Sequence, residues 1–179
     1  MDFKEKTFVK TVPMARPTNA MKGLPVGQWK IAKKLNLQKG RCYKGRSYVD
    51  MMNNALLTDI KEGYIKSSYP LDYVGVGDGL AWFAFFDGNF RRSGKDGLYC
   101  NAFISENEIL ETCNIDDESE YVKKRSNCKP VRFVFSKSKD NECTFEGIFY
   151  QVSIDMYICD GKLIGETVLK RYEEYEKYL

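Results

Sequence analysis

Tyr73-Val74-Gly75-Val76-Gly77-Asp78, with Trp82 four residues on, is the segment best equipped to hold a flat ligand. Gly75 and Gly77 let backbone approach a bound group closely, and Asp78 supplies a hydrogen-bond acceptor. Tyr73 or Trp82 supplies a stacking face. Recognition of a base outside a duplex needs this pairing of an aromatic face with polar groups along the base edge. The same residues also suit a glycine-rich hairpin that feeds a buried strand. A second set lies between Gly88 and Gly97: Asn89, Phe90, Arg91, Arg92 and Lys95. Its cations suit phosphates, and Asn89 or Arg91 suits a groove or the place a base has left. A solvated hairpin tip has a similar composition.

The third set is electrostatic. The first 46 residues hold 12 Lys/Arg against 2 Asp/Glu, while the whole chain carries only +3, so the remainder sums to −7. Lys30, Lys33, Lys34, Lys39, Arg41, Lys44 and Arg46 form its densest part and are the candidates for phosphate binding. Lys and Arg gain affinity for a polyanion by displacing its counterions. A lysine-rich surface that maintains solubility is the plainer alternative.

Several chemistries are excluded or weakened. Histidine is absent, which removes Ser-His-Asp triads, Cys-His dyads and His-ligated metals. Six cysteines at 42, 100, 113, 128, 143 and 159 include no CxxC pair, which argues against a zinc knuckle. They read as free, mostly buried thiols of a reducing compartment, with a three-disulfide secreted domain as the alternative. No Walker loop is present, since neither glycine set is followed by Lys-Ser/Thr. Asp160-Gly161-Lys162 and Asp59-Ile60-Lys61 match the short carboxylate-x-Lys pattern of metal-dependent nucleases, at a frequency chance supplies. The chain therefore reads as a binding module rather than an enzyme, with no cofactor and no metal. No apolar run reaches the roughly 20 residues of a membrane span, and the start lacks a signal-like stretch. A cytoplasmic or nuclear location is expected.

The elements that position these groups follow from periodicity. Residues 1–46, punctuated by prolines, read as a basic arm or subdomain with a short helix near 28–35. Residues 47–179 read as one α+β domain. Ser47-Tyr48-Val49-Asp50 is a capping box, and Val49, Met52, Leu56 and Ile60 continue a helix that Gly63 would stop. Leu80–Phe86 is an apolar strand, followed by a loop and a short strand over 98–103. Ser105-Glu106-Asn107-Glu108 predicts a second capped helix bearing Ile109, Leu110 and Cys113. Val131–Phe135 and a long alternating segment over 145–158 read as strands, with Gly147 marking a bulge or close packing. Asp160-Gly161 reads as a turn, and 166–179 as a terminal helix with Val168, Tyr172, Tyr175 and Leu179 on one face.

Lys129-Pro130-Val131-Arg132 followed by Phe145-Glu146-Gly147-Ile148-Phe149 resembles the Lys-Pro-Val-Arg and Tyr-Asp-Gly-Ile-Tyr strands of the SET- and RING-associated (SRA, or YDG) domain. Tyr73–Asp78 is similar to that family's upstream glycine-rich stretch. The resemblance covers roughly residues 70–158 and lacks the strict Tyr-Asp-Gly. It implies a PUA-like, curved, mostly antiparallel sheet or partly open barrel with flanking helices. It also implies that a modified cytosine is flipped into a pocket. Tyr73 would stack on that base, Asp78 would accept from its exocyclic amine, and the loop from Asn89 to Arg92 would probe the gap.

The leading expectation is a DNA-binding module with the basic N-terminal region on the phosphates, and with a protein partner supplying any catalysis. The alternatives are a nucleotide-, small-ligand- or protein-binding module, such as a phage or bacterial defence-related factor, and a small metal-dependent nuclease.

Overall fold

The computed structural model describes residues 5–14, 37–57, 67–70, 79–93, 97–128 and 131–173. Ten strands are hydrogen-bonded in the order β3-β4-β8-β9-β10-β7-β6-β5, with β1 and β2 also paired to β9. The sheet is mixed and does not close, and two helices accompany it, which makes the class α+β. The chain divides into two compact units. One comprises Met1–Arg16, Phe86–Cys128 and Gln151–Lys170, and the other Pro17–Phe85, Lys129–Tyr150 and Arg171–Leu179.

In the second unit, β2 (Cys42–Lys44) leads into α1 (Tyr48–Leu56), and β3 (Ser68–Pro70) leads to β4 (Gly79–Ala84). β4 runs parallel to β8 (Val131–Lys137), which pairs antiparallel with the first half of β9 (Glu142–Cys159). Glu146 is an extra residue in that pairing, and the next residue, Gly147, takes φ 124, a conformation that favours glycine. The sequence signal for a bulge is realised there. Ala81, Phe83, Val131, Phe133, Phe135, Phe145 and Ile148 form one face of this sheet. They are buried in one cluster with Met51, Met52, Ala55 and Leu56 of α1. Apolar side chains at helical spacing meet alternate positions of the strands, which is why both elements form. The other face, with Trp82, Arg132, Val134 and Phe149, is buried as well.

In the first unit, β1 (Lys6–Pro13) pairs with the second half of β9, and β10 (Lys162–Arg171) pairs with β7 (Glu108–Asn114). β6 (Gly97–Ser105) joins β7 to β5 (Arg91–Ser93). α2 (Glu118–Ser126) is capped by the Asp117 carboxylate, which accepts from the Glu120 N–H at 2.7 Å. A Cβ on Gly165 would lie 2.5 Å from the nearest atom of the α2 Tyr121 ring, so a side chain at 165 would force that ring to shift.

Several expectations are corrected. The second predicted capped helix is a β-hairpin: Ser105 Oγ accepts from Asn107 N–H inside a turn, and Phe103 pairs with Ile109. A hydroxyl followed by acidic residues satisfies a turn's donors as readily as a helix's. The predicted terminal helix is strand β10 as far as Arg171, while residues 174–179 lie outside the described residues. Ile164–Leu169 are all buried, so both faces of β10 are covered there and no polar alternation marks it. α1 ends at Leu56 rather than Gly63, with Leu57 at φ 52 as its left-handed cap. α2 is not among the expected elements, although the Asp117 cap, the acidic first turn and the basic last turn (Lys123, Lys124, Arg125) are helix signals. β9 has both faces buried around residues 147–149 rather than one. The Asp160–Gly161 turn is present, with φ 49 and 72.

Lys6 and Lys10 belong to β1 and Lys44 to β2, so the described parts of the basic first 46 residues include strands on β9. The helix expected near 28–35 lies outside the described residues. All six cysteines are unbridged, four of them buried. No helix among the described residues is long and apolar enough to cross a membrane.

Candidate nucleic-acid interface

Of the seven phosphate candidates, Lys39, Arg41, Lys44 and Arg46 are described and all four are exposed. Lys30, Lys33 and Lys34 lie outside the described residues. The four come together on β2 and its flanks in the second unit, and backbone hydrogen bonds hold this segment in place. Gly40 N–H donates to Phe145 O at 2.8 Å, Phe145 N–H to Arg41 O at 3.0 Å, and Gly45 N–H to Asn141 O at 3.1 Å. Asn54 of α1 donates through Nδ2 to Lys44 O at 2.6 Å. Gly45 has no room for a side chain: a Cβ there would sit 2.1 Å from the Met51 amide nitrogen. The strip is therefore a short, charged strand pinned between β9 and the start of α1.

Its electrostatics are local. Lys44 Nζ lies 2.5 Å from Glu142 Oε1, and Arg46 Nε lies 3.8 Å from Asp50 Oδ2. The Lys44 side chain is 69% exposed and that of Arg46 fully exposed. The Glu142 hydrogen bond and charge raise the Lys44 ammonium pKa above its ordinary value. The Arg41 guanidinium lies 5.3 Å from the Tyr43 ring centroid, and burial pushes the Tyr43 phenol up. Asp50 also accepts from the Arg46 N–H at 3.3 Å, rather than from Ser47 as a strict capping box requires, while Ser47 Oγ accepts from Asp50 N–H at 3.2 Å.

Cations of the first unit are used differently. Lys6 Nζ meets Glu166 at 2.7 Å, with the Glu166 side chain only 8% exposed, and Lys10 pairs with Glu118. Arg125 meets Glu111 at 2.8 Å with both side chains largely buried. These pairs tie β1 and α2 to the sheet, so they belong to the fold.

Asn89, Phe90, Arg91 and Arg92 lie together in the loop before β5 and at its start, also in the first unit. The Arg91 guanidinium grips Asp87 with two parallel bonds, Nη1 to Oδ1 at 2.8 Å and Nη2 to Oδ2 at 2.7 Å. Nη1 also donates to Asn89 O at 3.0 Å, and Asn89 N–H donates to Asp87 Oδ1 at 3.1 Å. Arg91 thus shapes the loop; Asn89, whose side chain also hydrogen-bonds Asp87, and Arg92 are exposed. Lys95 lies outside the described residues.

The hydrogen bonds from Arg91 hold the Asp87 carboxyl well below the usual carboxylate range. A depressed carboxyl stabilises the loop above its ordinary pKa, and that contribution is lost as pH falls through the folded value. At about pH 3, where an unperturbed aspartate is mostly protonated, Asp87 is expected to remain charged in a carbon-13 carboxyl titration by NMR. An ordinary midpoint would mean that the clamp is absent in solution.

Tyr73, Gly75, Gly77 and Asp78 lie outside the described residues. Trp82 is only 6% exposed, and the Arg132 guanidinium covers its ring at 4.5 Å. Trp82 is therefore packed inside the protein, with that stacking position occupied. Arg132 is itself 3% exposed, lies opposite Phe149 across the β8–β9 pair, and Phe149 carries Arg171 at 4.9 Å. A cation inside an otherwise apolar strand was the sequence signal for Arg132. Glu142 had no such signal, because its meeting with Lys44 depends on the register of β2 against β9.

Asp160 and Lys162 are exposed around the β9–β10 turn, and Asp59 and Lys61 lie outside the described residues. Among the described residues no group of three His, Cys, Asp or Glu is placed to hold a metal. No protein-family model, curated protein or solved structure matches the chain.

Proposed function

We propose that this chain is a DNA-binding module that takes phosphates on Lys39, Arg41, Lys44 and Arg46. The observation that carries the reading is that these four cations stand exposed on one pinned edge segment. Lys6 of β1 and Arg125 of α2 instead pair with largely buried carboxylates, Glu166 and Glu111, and serve the fold. A charged edge strand also discourages sheet-to-sheet aggregation. Four cations within eight residues is more than a three-residue strand needs for that purpose. The finer reading, a PUA- or SRA-like module that flips a modified cytosine, rests on the resemblance of residues 70–158. It assigns the base to Tyr73 and Asp78.

The test is fluorescence anisotropy with matched duplexes that are unmodified, 5-methylated or 5-hydroxymethylated at cytosine, across a salt series. Binding that weakens steeply with salt supports the phosphate reading. Preference for one duplex, abolished by Asp78→Ala, supports base reading. Absence of binding at low salt refutes both and moves a small-ligand or protein partner to first place.

A further inference from the structure

Glu142 and Asp50 face the strip from two different elements, the start of β9 and the first turn of α1. Glu142 meets Lys44 and Asp50 meets Arg46, so these two strip cations already have carboxylate partners. Both contacts are solvent-exposed, with Glu142 at 32% and Asp50 at 49% side-chain exposure. Exposed pairs of this kind are weak and screened by salt. A phosphate diester offers the same charge and likewise two acceptor oxygens, and its binding adds counterion release.

We propose that Glu142 and Asp50 are built-in competitors for DNA phosphate, which hold the affinity of the strip down and set its response to salt. The inference rests on the phosphate reading above and deepens it. In the resting protein each carboxylate neutralises one cation, and an incoming phosphate must displace it or be repelled by it. The partner that fits the strip is a phosphate backbone. A carboxylate-rich protein surface would meet the same competition without the counterion release of a polyelectrolyte.

Glu142→Gln and Asp50→Asn keep side-chain size and remove the charge. In full-length protein, each is expected to tighten unmodified duplex about 3- to 8-fold at about 0.1 M salt and to steepen the log–log salt slope by about 0.9. Asp116→Asn, an exposed charge in the first unit, changes net charge equally and is expected to leave both nearly unchanged. Wild-type binding with no tightening in either variant overturns the competitor role and leaves the phosphate reading standing. Equal tightening in Asp116→Asn also overturns it, since net charge alone would then explain the gain. No DNA binding by any of the proteins refutes the phosphate reading itself. Thermal melts of each variant separate a binding change from a folding change, and the two positions test the idea independently.

Discussion

Replacing Lys39, Arg41, Lys44 and Arg46 together by Ala is expected to weaken duplex binding between about 10²- and 10³-fold at about 0.1 M salt. The slope of log affinity against log salt should flatten by about 2 to 4. The magnitude follows from counterion release, in which each phosphate contact contributes a slope of about 0.9. Glu142 and Asp50 already offset part of the charge on Lys44 and Arg46, which is why the lower bound sits below the full sum. Stability should change little, because exposed side chains away from caps and cores usually contribute within about 0.5 kcal/mol each. A matched change of Lys6 and Lys10 should do the reverse. Lys6 pairs with the buried Glu166 carboxylate, so its loss strips a partner from a group inside the protein and lowers stability. If the strip variant keeps its wild-type salt slope, the phosphate assignment is wrong, and any residual binding must come from elsewhere in the chain.

Gly45→Ala is expected to lower stability by about 3 kcal/mol, which for a chain of this length moves the melting temperature down by about 6–12 °C. The added Cβ would lie 2.1 Å from Met51 N, 2.6 Å from Asp50 C and 2.7 Å from Met51 Cα. These are backbone atoms of α1, so no rotamer change relieves the contact. The helix must shift away from β2, and Met51, Met52, Ala55 and Leu56 shift with it out of the core cluster. Gly40→Ala, at the other end of the strip, separates two causes. Gly40 has φ 82, and a Cβ there would meet nothing within 4 Å, so its cost is conformational, about 1–2 kcal/mol. Differential scanning calorimetry on both variants gives the comparison. An Ala at 45 that melts with the wild type would mean that β2 and α1 do not approach each other this closely.

Much of the local structure is legible in the chain. Ser47 capping α1, the bulge at Gly147, the Asp160–Gly161 turn and the strands β8 and β9 each follow from signals a few residues long. Short-range chemistry decides those features, because a cap, a turn or a bulge needs only its own neighbours. The errors share the opposite cause. Ser105–Glu108 satisfies the local grammar of a helix start, and only the pairing of Phe103 with Ile109 makes it a hairpin. The segment after Gly161 carries apolar residues at spacings compatible with a helix. Only its pairing between β9 and β7 makes it a strand, one that is buried on both faces from Ile164 through Leu169. Trp82 reads as an available ring in sequence, yet Arg132, fifty residues later, covers it through the parallel pairing of β4 with β8.

Residue counts alone settle the inventory: a charge-divided chain without histidine, with a dense basic segment ending at Arg46 and thiols too scattered for a zinc knuckle. Those properties are sums and spacings along the chain, and no fold can alter them. Which cations face solvent is a different matter, fixed only once the chain has folded. Strand register places Lys6 against Glu166 and Lys44 against Glu142, the one against a buried carboxylate and the other against a half-exposed one. Ion pairing acts over a few ångströms, and residues roughly a hundred positions apart in sequence reach that distance only when the sheet has formed.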